Sequence, residues 1–241
     1  TAVGSNALLT ITTGGASTAV GRNALKVATV GDNTAVGANA LAANTTGTTN
    51  TAVGTNALDA NTTASNNTAV GYAALGANTT GSGNTAVGKD AMKAVTTATD
   101  GVAVGWAALD ACTTGVSNSA VGYNALGAVT TGGSNTAMGF VALQLATGTG
   151  NVAIGANSSD ALTTGATNTS VGTGSLGACT TGGNNTAIGS SALAANTTAS
   201  GNVAVGWDSL LSNTTGTGHT AVGYQALATV TTVNDNTAVG Y

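Results

Sequence analysis

The chain has 241 residues, of which 42% are hydrophobic, 5% charged and 3% aromatic, with 37 Gly, no Pro and a net charge of −4. A usual domain carries about 25% charged residues, so neutral Thr, Asn and Ser must supply the polar surface and aromatic rings are too few to fill a core. The only cations, Arg22, Lys26, Lys89 and Lys93, make no basic patch for nucleic acid, and no apolar run approaches the roughly 18 residues of a membrane span.

Disorder is also excluded, because disordered segments combine low hydrophobicity with high net charge and Pro. Order in such a chain must come from repetition. From Gly4 onward the Gly that closes T-A-V-G recurs to Gly240, at 17-residue intervals in twelve of fourteen cases and 16 in the other two. One unit repeated without interruption is the signature of a solenoid. Residues 1–241 are expected to form a single continuous repeat domain. Because the chain starts and stops inside a motif, it reads as a fragment of a longer fibrous protein.

Each unit runs N-T-A-V-G, two variable residues, A-L, a further variable stretch, then T-T-G and a few small residues. Two helices would need about 33 residues, and this text is poor in helix formers. Two short strands per unit, separated by turns at G-x-x and at T-T-G, fit instead. The predicted fold class is all-β: a parallel β-solenoid, or β-roll, of about 14 coils, about 65 to 70 Å long at the inter-strand spacing.

Within a unit, the residue before the Gly is Val in twelve of fifteen copies and the fourth after it is Leu in twelve of fourteen. These columns are expected to form the coil core, through Val70, Leu75, Val87, Leu109, Val121 and Leu126. Strand alternation turns the preceding Ala the other way. Because that column stays tiny, Ala69, Ala86, Ala103 and Ala120 are expected to pack against another chain, most simply around a threefold axis. All seven aromatics fall immediately after the Gly. Of these, Tyr72, Trp106, Tyr123, Phe140, Trp207 and Tyr224 are candidate surface contacts that could meet sugars or partner surfaces through their ring faces.

The stretches NVAIGANSS (151–159), NTAIGSSAL (185–193) and NVAVGWDSL (202–210) resemble the head repeats of trimeric autotransporter adhesins, whose motif reads S-V-A-I-G-x-x-A. The longer N-T-A-V-G-x-x-A-L…T-T-G form is similar to repeats of phage tail fibres, the extra residues falling in the T-T-G turn. The resemblance implies a homotrimer of left-handed parallel β-rolls in an extracellular fibre, on a bacterial surface or a virion tail, with the chain itself as main partner and a host-surface glycan or protein as a second. It carries over no catalytic residues.

Chemistry in the ordinary sense is not expected, so the chain is read as no enzyme, with no cofactor and no metal. Glu is absent, the eight Asp are scattered, and His219 stands in a column that is Asn in eleven of fourteen copies. Only Asp32, Asp100 and Asp235 precede that column, too few for a calcium ladder. Cys112 and Cys179 lie four coils apart, beyond disulfide reach within one chain, and read as small apolar residues, with symmetry-related interchain bonds as the alternative. The N-T-T triplets at Asn44, Asn61, Asn78, Asn196 and Asn213 match a glycosylation acceptor but follow from the repeat itself. The Asn and Thr columns are expected to form ladders at turns. Two alternative functions remain: a monomeric, Thr-rich ice-binding solenoid, and an end-to-end filament of uncapped coils.

Overall fold

The computed structural model describes residues 1–13 and 15–241. The fold is an all-β parallel β-solenoid of about 14 turns with a 17-residue repeat and no helix among the described residues. It divides into two compact units, Thr1–Asn118 and Ser119–Tyr241. The first contains β1 (Ala2–Val3), β2 (Thr18–Val20), β3 (Thr34–Val36), β4 (Thr51–Val53), β5 (Thr68–Val70), β6 (Thr85–Val87) and β7 (Val102–Val104). The second contains β8 (Ser119–Val121), β9 (Thr136–Met138), β10 (Val152–Ile154), β11 (Thr169–Val171), β12 (Thr186–Ile188), β13 (Val203–Val205), β14 (Thr220–Val222) and β15 (Thr237–Val239).

Strands pair in parallel and in register, like residue on like: Thr68, Ala69 and Val70 of β5 oppose Thr85, Ala86 and Val87 of β6. One strand forms per coil, not the two expected. The A-L stretch is instead a run of turns in which every second residue has positive φ. In the coil of Tyr72 these are Gly71 (φ 140°), Ala73 (53°) and Leu75 (52°). Such angles break a β ladder, yet the backbone stays bonded between coils. Ala73 N–H donates to Thr55 O of the preceding coil at 3.0 Å, and Leu75 N–H to Ala91 O of the following one at 3.0 Å. The left-handed conformation explains why Asn and Asp recur two residues after the Gly, since their short polar side chains tolerate it.

The core differs from expectation in one respect. The Leu column is buried, including Leu75, Leu109 and Leu126, but the strand is turned the other way about. Ala69, Ala86, Ala103 and Ala120 have no exposed surface within the chain itself, so they pack in their own coil and not against another chain. Val70 and Val87 are 36% and 37% exposed and Val121 is half-buried, so these three point outward. The cause is the cross-section. With one three-residue strand per coil, the interior holds one large side chain, the Leu, and the strand opposite it must present the smallest residue.

Two exceptions to the columns meet in the second unit. Ser159 replaces the Leu and Ser170 replaces the Ala, and their hydroxyls lie 2.8 Å apart, with Ser158 Oγ donating to Ser170 Oγ at 2.7 Å and Ser158 and Ser175 hydroxyls 3.0 Å apart. This buried serine cluster stands where other coils are apolar. Ser170→Ala leaves Ser159 without its partner and should cost about 1–3 kcal/mol, read as a lower thermal midpoint. Leu162, fully buried in the same coil, already supplies its large side chain, so the double variant Ser159→Ala and Ser170→Ala, which removes both hydroxyls without adding bulk, should recover part of the loss. Met92, longer than Leu, is accommodated differently: Gly101 replaces the Asn of its column, and a Cβ there would run into Met92 Cε.

Candidate contact surfaces and internal ladders

In the N-T-A-V-G column Asn236, in the last coil, is half-buried, and each Asn from Asn33 to Asn202 is buried at a corner of its coil. Its Oδ1 accepts the backbone N–H of its counterpart one coil on, as in Asn50 N–H to Asn33 Oδ1 (3.0 Å), Asn67 to Asn50 (3.0 Å) and Asn84 to Asn67 (2.9 Å). Its amide donates to a carbonyl across the turn, Asn67 Nδ2 to Gly81 O at 2.9 Å. Each such buried bond is worth about 1 kcal/mol net. His219 keeps half of this pattern. Its Nδ1 accepts Asn236 N–H at 3.2 Å, which leaves the proton on Nε2, and Nε2 is buried with no partner. His219→Asn restores the missing donor and is expected to raise stability by about 1 kcal/mol, measurable as a higher melting temperature.

A second Asn ladder runs inside the T-T turn. Asn61 Nδ2 donates to Asn44 Oδ1 at 2.8 Å and Asn78 Nδ2 to Asn61 Oδ1 at 3.1 Å, and the series stops at Val95, which offers no donor to the buried Asn78 Oδ1. These are the asparagines of the N-T-T triplets, together with Asn196 and Asn213. All five are fully buried with their amides committed to carbonyls, so the folded chain presents none of them for glycosylation. Cys112 and Cys179 occupy the same column, buried, their thiols directed at Gly115 O (3.4 Å) and Gly182 O (3.7 Å). Burial pushes both thiols above the ordinary cysteine range, so they are protonated, unreactive and out of reach of a neighbouring chain.

The Thr column of the T-T turn is likewise spent internally. Thr62 backbone N–H and Thr62 Oγ1 both donate to Thr79 O, each at 3.1 Å. The hydroxyls that remain free lie elsewhere. Thr34, Thr51, Thr68 and Thr85 stand on the outward side of β3 to β6 beside Val36, Val53, Val70 and Val87, and their hydroxyls bond no protein group among the described residues. Strands β3 to β6 therefore present an outer face of a Thr column beside a Val column.

The aromatic column is exposed as expected, between 41% for Tyr123 and 56% for Phe140 before the last residue, Tyr241, but most of its rings lie on one another. Tyr123 and Phe140 stack at 5.3 Å between centroids, Trp207 and Tyr224 at 4.9 Å, and Tyr224 and Tyr241 at 5.3 Å. Lys89 Nζ lies 5.4 Å from the ring centroid of Trp106. Stacking covers one face of Phe140 and of Trp207 and both faces of Tyr224, which reduces the ring-face area expected for sugar contact. Tyr72 stands apart from these stacks, with Thr55 and Lys89 as its column neighbours.

A third column, five residues after the Gly, carries Asp59, Asp110 and Asp160. Burial pushes each carboxyl above the ordinary carboxylate value, against backbone hydrogen bonds that lower it. Between the ordinary value and the raised one, the folded chain binds more protons than the unfolded chain. Stability contributed by these groups therefore falls as pH rises through that window. Acidification from pH 7 towards pH 4 should raise the melting temperature slightly, and Asp→Asn at the three positions should flatten that rise.

Among the described residues, no three His, Cys or Asp side chains converge into a metal-binding group. Nor is any helix among them long and apolar enough to cross a membrane. No protein-family model matches the chain, and a search of curated proteins gave no significant match.

Proposed function

We propose that the chain is a structural segment, shaft or head, of an extracellular homotrimeric fibre, a rigid spacer on a bacterial surface or virion tail. The observation that carries this reading is the outward Thr/Val face. A continuous apolar column along a sheet differs from scattered surface hydrophobes and marks an interaction surface. The threefold contact first expected at the Ala column belongs on this face, with left-handed coils packed through Val53, Val70 and Val87 and their equivalents. The likeness of the N-V-A-I-G text to adhesin heads supports the same assembly. Sedimentation equilibrium tests it. The wild-type chain should run at three times its 22.5 kDa mass, and Val53→Lys, Val70→Lys and Val87→Lys together should give a folded monomer. A wild-type monomer at micromolar concentration would sink the trimer.

One observation favours a second reading. The free hydroxyls of Thr34, Thr51, Thr68 and Thr85, in register beside Val, are a surface an ice-binding solenoid could use, whereas the first Thr of each T-T turn is already engaged. Thermal hysteresis by a monomeric chain, lost on Thr68→Lys, supports it; trimerisation buries the same face and removes it. An end-to-end filament would show in electron micrographs as particles of unlimited length.

A further inference from the structure

On the edge of the first unit, two residues after each Gly, a third Asn ladder passes its hydrogen bonds forward. Asn6 Nδ2 donates to Asn23 Oδ1 (3.1 Å), Asn23 to Asn39 (3.0 Å) and Asn39 to Asn56 (3.0 Å). The next residue in the column is Ala73, so the Asn56 amide N–H groups have no acceptor among the described residues. They open into a groove of about 480 Å³ bordered by Asp59, Tyr72 and Lys93, with Ala73 and Gly76 as its floor.

The groove exists because Gly76 occupies the column that carries Asp59 one coil before and Lys93 one coil after. On the other side of Asp59, over Ala42, lies a second groove of about 450 Å³ closed by Lys26. Asp59 thus stands between two similar grooves, with a lysine two coils away in each direction, about 9.6 Å at the inter-strand spacing.

We propose that these grooves are adjacent subsites for a neutral, linear oligosaccharide lying along the coil edge, with Asp59 shared between two sugar rings. The chemistry selects this class. Asn56 offers N–H donors and Asp59 two acceptor oxygens, a set that vicinal hydroxyls satisfy together. Tyr72, unlike the stacked aromatics, has no ring neighbour and gives the C–H face of a pyranose an apolar wall. An apolar ligand would strand the Asn56 and Asp59 polar groups. A polyanion meets Asp59, and the one cation of the first groove, Lys93, is already held 3.4 Å from Asp90. The site size falls within the range of small-molecule sites, about 300–1,000 Å³, and the 9.6 Å step suits a polymer more than a single ring. This names a ligand class for surface attachment, but its geometry lies within one chain and does not require the trimer.

Gly76→Leu supplies the test. Gly76 has ordinary φ, its Cβ would lie 3.2 Å from Ala73 O, and the second unit carries Leu211 in the same column, so the variant should fold while filling the groove. Saturation-transfer NMR and calorimetry would use cellotetraose and the β-1,4-linked N-acetylglucosamine tetramer, with a heparin tetrasaccharide and tetralysine as charged probes. At least one neutral tetramer should bind with Kd of about 1 mM. Gly76→Leu should abolish that binding. Asp59→Asn and Tyr72→Ala should each weaken it about tenfold, and Gly177→Leu in the second unit, beside Thr173 and without a lysine, should leave it unchanged. Absence of binding by both neutral tetramers, preference for a charged probe, or wild-type affinity in Gly76→Leu would each overturn the proposal. Sedimentation of the same samples reports the oligomer separately, so failure of the trimer and failure of the subsites are told apart.

Discussion

Gly71→Ala is expected to cost about 3 kcal/mol or more and to abolish hydrogen-exchange protection in the coils on either side. Gly71 has φ of +140°, a region that side-chain-bearing residues adopt only under strain of about 1–3 kcal/mol, and a Cβ there would lie 2.6 Å from the carbonyl carbon of Gly88 and closer still to its oxygen. Neither clash can relax, because Gly88 is backbone held in the next coil by its own N–H bond to Val70 O at 2.8 Å. In a solenoid each coil is stabilised mainly by its neighbours, so one forced gap uncouples the coils it separates. Gly76→Ala is the control. Its φ is ordinary and the nearest atom to the added Cβ is Ala73 O at 3.2 Å, a contact that Ala42 and Ala194 meet in the same column, so it should stay within about 0.5 kcal/mol of wild type.

The second large effect comes from enlarging the inward strand residue. Ala86 has no exposed surface and is stacked in register between Ala69 and Ala103. Ala86→Leu adds three carbons to an interior already filled by the Leu column and should destabilise by about 1–3 kcal/mol or more. Val87→Lys, one residue along, points outward and should change the stability of the single chain by less than about 1 kcal/mol while opposing self-association. Chemical denaturation of both variants, with sedimentation of the second, checks the pair. Were the strand turned the other way, the two results would exchange.

That reversal marks the limit of what the sequence makes legible. The 17-residue period, the parallel in-register stacking and the burial of Leu75, Leu109 and Leu126 follow from counting. Alternation also establishes that Ala69 and Val70 face opposite sides. It does not say which side is inside, and hydrophobicity points to Val. The deciding quantity is the width of a coil with only one strand, which depends on the left-handed turns at Ala73 and Leu75, and a tally of residue types carries no trace of them. A signal was present nonetheless: Ser159 and Ser170 break the Leu and Ala columns in adjacent coils, as partners facing each other across one core would. The Asn56 groove was less legible still, since it arises where the Asn ladder ends one coil before Gly76 opens the floor, and neither substitution is informative alone.

The in-register bonding has a consequence for how such a chain can change. Thr68 takes up the same bonds to its neighbours as Thr85, and Asn67 the same as Asn84. Removing residues 68–84 would join Asn67 to Thr85 and shorten the strand ladder and the Asn67 ladder of the first unit by one rung, changing neighbours chiefly on the outer edge, where Asn56 and Asp59 would meet Asp90 and Lys93. Length is therefore a variable independent of cross-section. Gain or loss of whole coils would lengthen or shorten the molecule in fixed steps, while a one-residue change is absorbed only where the turn after the Thr column can take it, as in the two 16-residue coils whose strands stay in register.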